Sequence, residues 1–271
     1  MDTRTGPPKV EIIAIPNIPM IQPGDDLPGI VFERAQAAGV AFENHDAIVV
    51  THKVVSKAEG RSVRLSEVEP SPEAVELAAL VHKNPRLVEV VLRESRGVVA
   101  MRPDLLVVEN RLGVICANAG IDRSNVEQIG DDVTLILLPH DADASAHVIQ
   151  NRLQSQSGKT LAVLIIDTLG RPFREGVIGM AIGVAGMEPL VDVRGQTDLF
   201  GYVMEHTIIN RADEIAAASS MLMGQTSERL PVVIVRGANY RPGAGSGRGI
   251  LREPGKDMFR PKEYVYPGKA R

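Results

Sequence analysis

The stretch on which the fold turns is Leu161-Ala162-Val163-Leu164-Ile165-Ile166-Asp167-Thr168. Its apolar run reads as a buried strand that ends in an acid, with a hydroxyl at the next position. Upstream, the spacing predicts a helix through Leu153, capped by Asp143 or Ser145 and stopped at Gly158. That helix start is preferred to a zinc site built from His140, Asp141, Asp143 and His147. Downstream, Gly170-Arg171-Pro172-Phe173-Arg174-Glu175-Gly176 reads as a rigid turn. Its two guanidinium groups suit a carboxylate or a phosphate. The glycines from Gly176 to Gly186 fit either a close approach of backbone to a ligand or neighbouring chain, or tight strand packing.

A second strand-to-acid junction matches the first. Leu105 to Glu109 and Leu112 to Cys116 predict a hairpin joined at Asn110-Arg111, and it presents Ala117-Asn118-Ala119-Gly120-Ile121-Asp122-Arg123-Ser124-Asn125-Val126. Asp122 offers a hard carboxylate, and Asn118, Ser124 and Asn125 offer short hydrogen-bonding arms. Two carboxylates from two strand ends, Asp122 and Asp167, with the Thr168 hydroxyl, are a common seat for Mg²⁺ or Mn²⁺ beside phosphate oxygens. Either acid taken alone also fits a turn former or a helix N-cap.

The rest of the chain supplies scaffold and further candidates. Val10 to Ile15 is a short β-branched run, followed by a proline-rich shaped loop to Asp26. Asp25 or Asp26 caps a helix from about Leu27 to Ala38. Asp46 to Thr51 reads as a buried strand, after which Thr51, His52, Lys53, Ser56, Lys57, Glu59 and Gly60 crowd into one turn. That turn is either a phosphate contact or a solvated charged loop. Ser71-Pro72-Glu73 opens one helix, and Pro85 to Glu94 forms another. Leu135 to Leu138 is a further apolar run. Ala212 to Gly224 is a small-residue helix with Asp213 and Glu214 in its first turn, and Pro231 to Arg236 is the last clear strand. Neither a P-loop nor a dinucleotide fingerprint occurs. A domain over residues 1–240, in one piece or as two interleaved subdomains, with a Gly/Pro/basic tail over 241–271 that reads as mobile, is the expected organisation.

Composition narrows the class. The chain has 271 residues, 44% of them hydrophobic, a formal charge of −4, no Trp and only 3% aromatics. A core is therefore affordable, while a nucleic-acid footprint of basic patches and stacking rings is missing. The single cysteine, Cys116, excludes a disulfide framework within the chain and reads as buried filler, which suits a cytoplasmic protein. No run approaches a membrane span, and Met1 to Lys9 lacks the apolar core of a signal peptide.

Taken in order, Gly24-Asp25-Asp26, Val55-Ser56-Lys57-Ala58-Glu59-Gly60, Ala117 to Asn125, Asp167-Thr168-Leu169-Gly170-Arg171-Pro172, Ala181 to Gly186 and Met223-Gly224-Gln225 resemble the coenzyme F420-0:L-glutamate ligase (F420 gamma-glutamyl ligase) family. The resemblance covers about residues 10 to 240. It implies an α+β fold of mixed sheets with packed helices, in an intertwined homodimer. It also implies a GTP-dependent ligase that joins L-glutamate to the lactyl carboxylate of coenzyme F420-0 and in many cases adds further gamma-linked glutamates. By motif, Asp122, Asp167 and Thr168 become metal ligands for Mg²⁺ or Mn²⁺, with Gln225 a further ligand or a nucleotide contact and K⁺ a further candidate ion. Asn17, Ile18, Pro19, Thr51, His52, Lys57 and Asn125 become GTP contacts, and the segment from Met223 and Gly224 closes over the nucleotide.

Chemistry points the same way, because joining a carboxylate to an amine in water needs an activated acyl group. An acyl phosphate made from GTP supplies one. Lys57, Asp122 and Asp167 are the catalytic candidates for a step that is mainly electrostatic and positional. After the Gly-Arg-Pro turn the family pattern turns polar, whereas here Val177, Ile178 and Gly179 follow, so a different substrate end is expected. No nitroreductase-like extension is expected. The competing readings are a metal-dependent nucleotide phosphohydrolase and a non-catalytic protein that binds nucleotide or deazaflavin.

Overall fold

The computed structural model describes residues 7–126 and 132–269. Residues 1–6 of the Met1–Lys9 stretch, and the last two residues of the expected tail, lie outside the described residues. The strand β1 (Glu11–Ala14) leads through a proline-rich loop to helix α1 (Leu27–Ala37). Next come β2 (Ala47–Thr51), α2 (His52–Ala58) and β3 (Ser62–Arg64). Helices α3 (Pro72–Leu80) and α4 (Pro85–Arg93) precede β4 (Ser95–Arg102), β5 (Leu105–Asn110) and β6 (Ile115–Ala117). The chain continues with β7 (Thr134–Ile136), α5 (Ala142–Ser157), β8 (Ala162–Arg171) and β9 (Arg174–Ala185). It ends with β10 (Leu190–Asp192), β11 (Ile208–Asn210), α6 (Arg211–Met223), β12 (Val232–Arg236) and β13 (Tyr266–Pro267).

A five-stranded sheet in the order β1-β12-β2-β8-β9 forms the centre, with β2 and β8 parallel and the other pairs antiparallel. Alternate residues of its strands face opposite layers, as the two-residue period of a strand requires. Ile48, Val50, Val163, Ile165, Val232 and Ile234 pack on Leu27, Val31 and Ala35 of α1 and on Ala146, Ile149 and Leu153 of α5. Ala47, Val49, Leu164, Ile166, Val233 and Val235 pack on Ile215, Ala216 and Met223 of α6. Covering both faces explains why these strands are nearly continuous apolar runs. A second layer sets the sheet β13-β4-β5-β6 against α3 and α4 around Leu77, Leu92, Val98 and Leu106. The short β3-β7 pair adds a smaller cluster with Leu65, Val68 and Val90. The architecture is the expected α+β arrangement of mixed sheets with packed helices.

The helix starts follow capping chemistry, with one displacement. Asp26 accepts from Gly29 N, and Ser71 accepts from Ala74 N, as expected. The cap of α5 is Asp141, which accepts from the N–H groups of Asp143 and Ala144, so neither Asp143 nor Ser145 fills that role. Asp143 instead accepts Val184 N at 2.9 Å and Gly247 N at 2.6 Å, fastening the helix start to β9 and to the C-terminal segment. Among the described residues no group of three or more His, Cys, Asp or Glu side chains is placed to hold a metal, so His140 and His147 belong to no such cluster.

Two further expectations give way. The crowded turn after Thr51 is the helix α2, since His52-Lys53-Val54-Val55-Ser56-Lys57-Ala58 contains no breaker. The segment read as a mobile tail returns across the protein. Gly247 lies close against Ile182 O, β13 pairs with β4, and Lys269 Nζ meets Glu89 at 2.7 Å. Arg260 and Tyr264 both bond the buried Glu109. Composition alone hid this, because the pairing uses backbone groups and side chains that meet carboxylates far back in the sequence.

Candidate functional site

The register of the main sheet brings four segments to one end. β2 stops at Thr51, opposite Ile166, while β8 runs on to Arg171. Asp167 is therefore the first residue of β8 beyond the end of its parallel neighbour, and not at the end of its own strand as the sequence suggested. Pairing of Val232 with Val50 and of Val233 with Ala14 puts the start of β12 and the exit of β1 at the same end. The C-terminus of α6 delivers Met223, Gly224 and Gln225 there, and helix α2 begins there with His52. The crevice beyond such strand ends is where open parallel arrangements bind ligands.

A cavity of ≈ 440 Å³ occupies this end. Its walls are Ile18 to Ile21, Thr51 to Val54, Lys57, Asn125, Ile166 to Thr168, Ser220 and Met223 to Pro231. Of the residues expected at a site, Ile18, Pro19, Thr51, His52, Lys57, Asn125, Asp167, Thr168, Met223, Gly224 and Gln225 share this cavity. Asn17 and Asp122 do not line it. Asn17 is exposed in a left-handed conformation with φ 59°, and so shapes the loop that carries Ile18 and Pro19. Arg171 and Arg174 lie outside the lining too, paired across the β8-β9 hairpin, with Arg171 bonded to Gly176 O at 3.5 Å.

The two acids differ in surroundings. Asp167 is 9% exposed, and its Oδ1 accepts from Thr168 N at 2.7 Å. His52 Nε2 faces the same oxygen at 3.4 Å, and among the described residues no Lys or Arg pairs with this carboxylate. Its charge also reaches Cys116 on β6, whose thiol burial pushes up to about 12 with Asp167 adding to the shift. Asp122 is fixed by two backbone bonds to Ile136, of 3.0 and 2.8 Å. Lys53 Nζ stands 2.7 Å from its Oδ2, and Ser124 N donates to Oδ1 at 2.8 Å. Burial pushes the Asp122 carboxyl up, but Lys53 and the Ser124 N–H more than offset this and hold it below the usual range.

The lysines join the two regions. Lys57 Nζ donates to Asn125 O at 2.7 Å, and Lys53 Nζ to Ser124 Oγ at 2.7 Å. Burial, and next the Lys53 ammonium, hold Lys57 below the usual lysine range. Lys53 was named from the sequence within the candidate phosphate turn but was given no role of its own. The available signal was its place four residues before Lys57, hence on the same face of α2. Arg229, Leu230 and Pro231 were also missed as cavity walls, since they read as the approach to a strand.

The donor chemistry fits a hard divalent ion on one wall. The Asp167 carboxylate, the Thr168 hydroxyl and the Gln225 amide oxygen are all oxygen donors, and Thr168 Oγ1 donates to Gln225 Oε1 at 3.1 Å. Lys53 and Lys57 in the same lining suit anionic oxygens.

Known proteins carry the same pattern. The family model described as F420-0:Gamma-glutamyl ligase matches residues 16–237. A protein of Methanothermobacter thermautotrophicus named coenzyme F420:L-glutamate ligase is 43% identical over 94% of this chain and 97% of its own length. Proteins of the same name from Methanopyrus kandleri and Archaeoglobus fulgidus are each 42% identical, over 94% and 93% of this chain and 99% and 97% of their own.

Proposed function

From the premise that the chain belongs to the F420-0:gamma-glutamyl ligase family, we propose that it joins L-glutamate to the lactyl carboxylate of coenzyme F420-0 at the expense of GTP. The observation that carries this reading is the cavity itself. It brings the oxygen donors of Asp167, Thr168 and Gln225 and the ammonium groups of Lys53 and Lys57 into one lining, the two kinds of group that a nucleoside triphosphate with a divalent ion requires.

Asp167, Thr168 and Gln225 would hold Mg²⁺ or Mn²⁺, with Asp122 reaching the site once Lys53 turns to a phosphate. The ion, when bound, neutralises charge on phosphate oxygens. Lys57 and Lys53 meet the oxygens of the transferring phosphoryl group. In the first step a carboxylate oxygen of the acceptor attacks the γ-phosphorus, the bond to GDP breaks, and an acyl phosphate forms. In the second, the glutamate amine attacks the acyl carbon, phosphate leaves, and the nitrogen gives up its proton as the amide forms. Met223 to Pro231, at the cavity mouth, exclude water from the acyl phosphate between the steps.

A homodimer is part of the same reading. Leu199 and Phe200 are 97% and 95% exposed at the tip of the excursion between β10 and β11, and Phe173 is 87% exposed on the β8-β9 hairpin. Such exposure of large apolar side chains supports a partner surface, which light scattering on purified protein tests directly. No helix among the described residues is long and apolar enough to cross a membrane.

The deciding experiment is mass spectrometry of F420-0 incubated with protein, GTP, L-glutamate and Mg²⁺ or Mn²⁺, with GDP measured in the same tube. Glutamyl mass increments matched by GDP are expected, and their number gives the count of glutamates added. GDP without a glutamylated product would replace this reading with a phosphohydrolase.

A further inference from the structure

His52 was matched to the nucleotide by motif and belongs to the cavity lining, yet the residue is only 1% exposed. It opens α2 immediately after the last residue of β2. Nδ1 lies 3.5 Å from Ser56 Oγ, one turn further along the helix. Nε2 is buried without a hydrogen-bond partner, and the group that it faces is Asp167 Oδ1, 3.4 Å away. A buried imidazole nitrogen left unsatisfied is costly, so the fold retains it against a constant disadvantage.

We propose that His52 is a positioning residue for Asp167. The Ser56 hydroxyl donates to Nδ1, which places the ring proton on Nε2, and a small ring rotation then lets that N–H donate to Asp167 Oδ1. With Thr168 N already on Oδ1 and no donor among the described residues on Oδ2, the carboxylate is held so that Oδ2 is the oxygen offered to the cavity. Second-layer donors of this kind orient the carboxylates that hold metal ions. The inference rests on the reading above, that Asp167 holds a divalent cation.

The test is Mn²⁺ titration of the full chain, with free Mn²⁺ read by electron paramagnetic resonance, in wild type, Asp167→Asn, His52→Asn and His52→Gln. Both His52 variants replace the ring with an uncharged amide, Gln one methylene longer than Asn, and they place that amide at different ring positions. Gln retains a donor near the Nε2 position, whereas Asn retains only the Nδ1 side. His52→Asn is expected to weaken Mn²⁺ binding ~10–100-fold, and His52→Gln to restore most of it. In steady state the Michaelis constant for the metal rises in His52→Asn while that for GTP stays put, which a nucleotide contact would not give. Wild type without Mn²⁺ binding, or Asp167→Asn binding as well as wild type, would overturn the metal reading itself. Tight binding by wild type, lost in Asp167→Asn but unchanged in both His52 variants, would overturn the positioning role alone. Equal losses in both His52 variants, with matching drops in melting temperature, would assign the ring to packing and likewise overturn it.

Discussion

The Asp122 loop and the Asp167 strand look alike as sequence, each an apolar run delivering an acid, and the structure makes them opposites. Asp167 sits inside a ten-residue strand, buried, with no Lys or Arg paired to it among the described residues. Asp122 sits on a loop held to Ile136, 29% exposed at its side chain, with its charge met by Lys53. A place in the cavity wall without a Lys or Arg partner among the described residues belongs to the first acid, and a place outside the lining with a lysine partner belongs to the second. The site therefore has one acid in its wall and a second acid behind it, which Lys53 holds.

The sharpest way to break this contrast is to neutralise each acid without changing its shape. Asp167→Asn is expected to lower kcat by ~10³-fold or more, with an unchanged circular dichroism spectrum, because nothing else on its wall replaces the charge. Asp122→Asn is expected to cost less, about 10²-fold in kcat/KM, since Lys53 then remains as a free cation for phosphate. Equal losses would dissolve the distinction between an acid in the wall and an acid paired behind it.

Lys57→Met sharpens the link between the two regions. Ammonium burial is unfavourable here and Lys53 adds repulsion, so the variant is expected to lose GTP affinity, read by calorimetry, and yet melt at the same or a higher temperature. The direction of the shift also fixes its pH dependence. A lysine with a depressed pKa binds fewer protons folded than unfolded, so the penalty is present at neutral pH and fades as pH rises through the folded value toward the ordinary one. The stability gain of Lys57→Met should therefore shrink in alkaline buffer.

The smallest expected effect concerns the Asp122–Lys53 pair. Because the Asp122 carboxyl is held low, its stabilisation is present above the ordinary aspartate range and lost as pH falls through the folded value. Asp122→Asn should cost ~1 kcal/mol or less at neutral pH, with the gap from wild type closing in acid thermal melts. A gap that widened in acid would mean that Lys53 is not the partner.

Much of this was legible in the sequence, and the misses share a cause. Strands such as Ala47–Thr51 and helices such as Pro72–Leu80 carry local signals, in β-branched runs and in Ser-Pro starts. The cavity walls at Thr51, Lys57, Asp167, Thr168 and Gln225 were found because residue type and motif order are also local. What escaped was set by register between distant segments. Asp167 is special because β2 ends beside it, which no pattern around Asp167 records. Lys53, the partner of Asp122, lies 69 positions earlier on another element, and Arg260 lies 151 positions from Glu109. The apolar stretch after Gly176, which suggested a different substrate end, is partly accounted for by packing. Gly179 and Gly183 are places where an added Cβ would strike α6 and the start of α5.

The buried Glu109 and Glu89 have a consequence in time. A ribosome that has made Glu109 must add 151 residues before Arg260 exists, and Lys269 follows Glu89 by 180. At roughly 5–20 residues per second, that leaves the second sheet for about ten to thirty seconds with carboxylates awaiting their distant cations. During that interval each acid has a nearer cation, Arg96 for Glu109 at 3.2 Å and Arg93 for Glu89 at 2.8 Å, so the late-arriving side chains complete pairings that the second sheet and its helices have already begun.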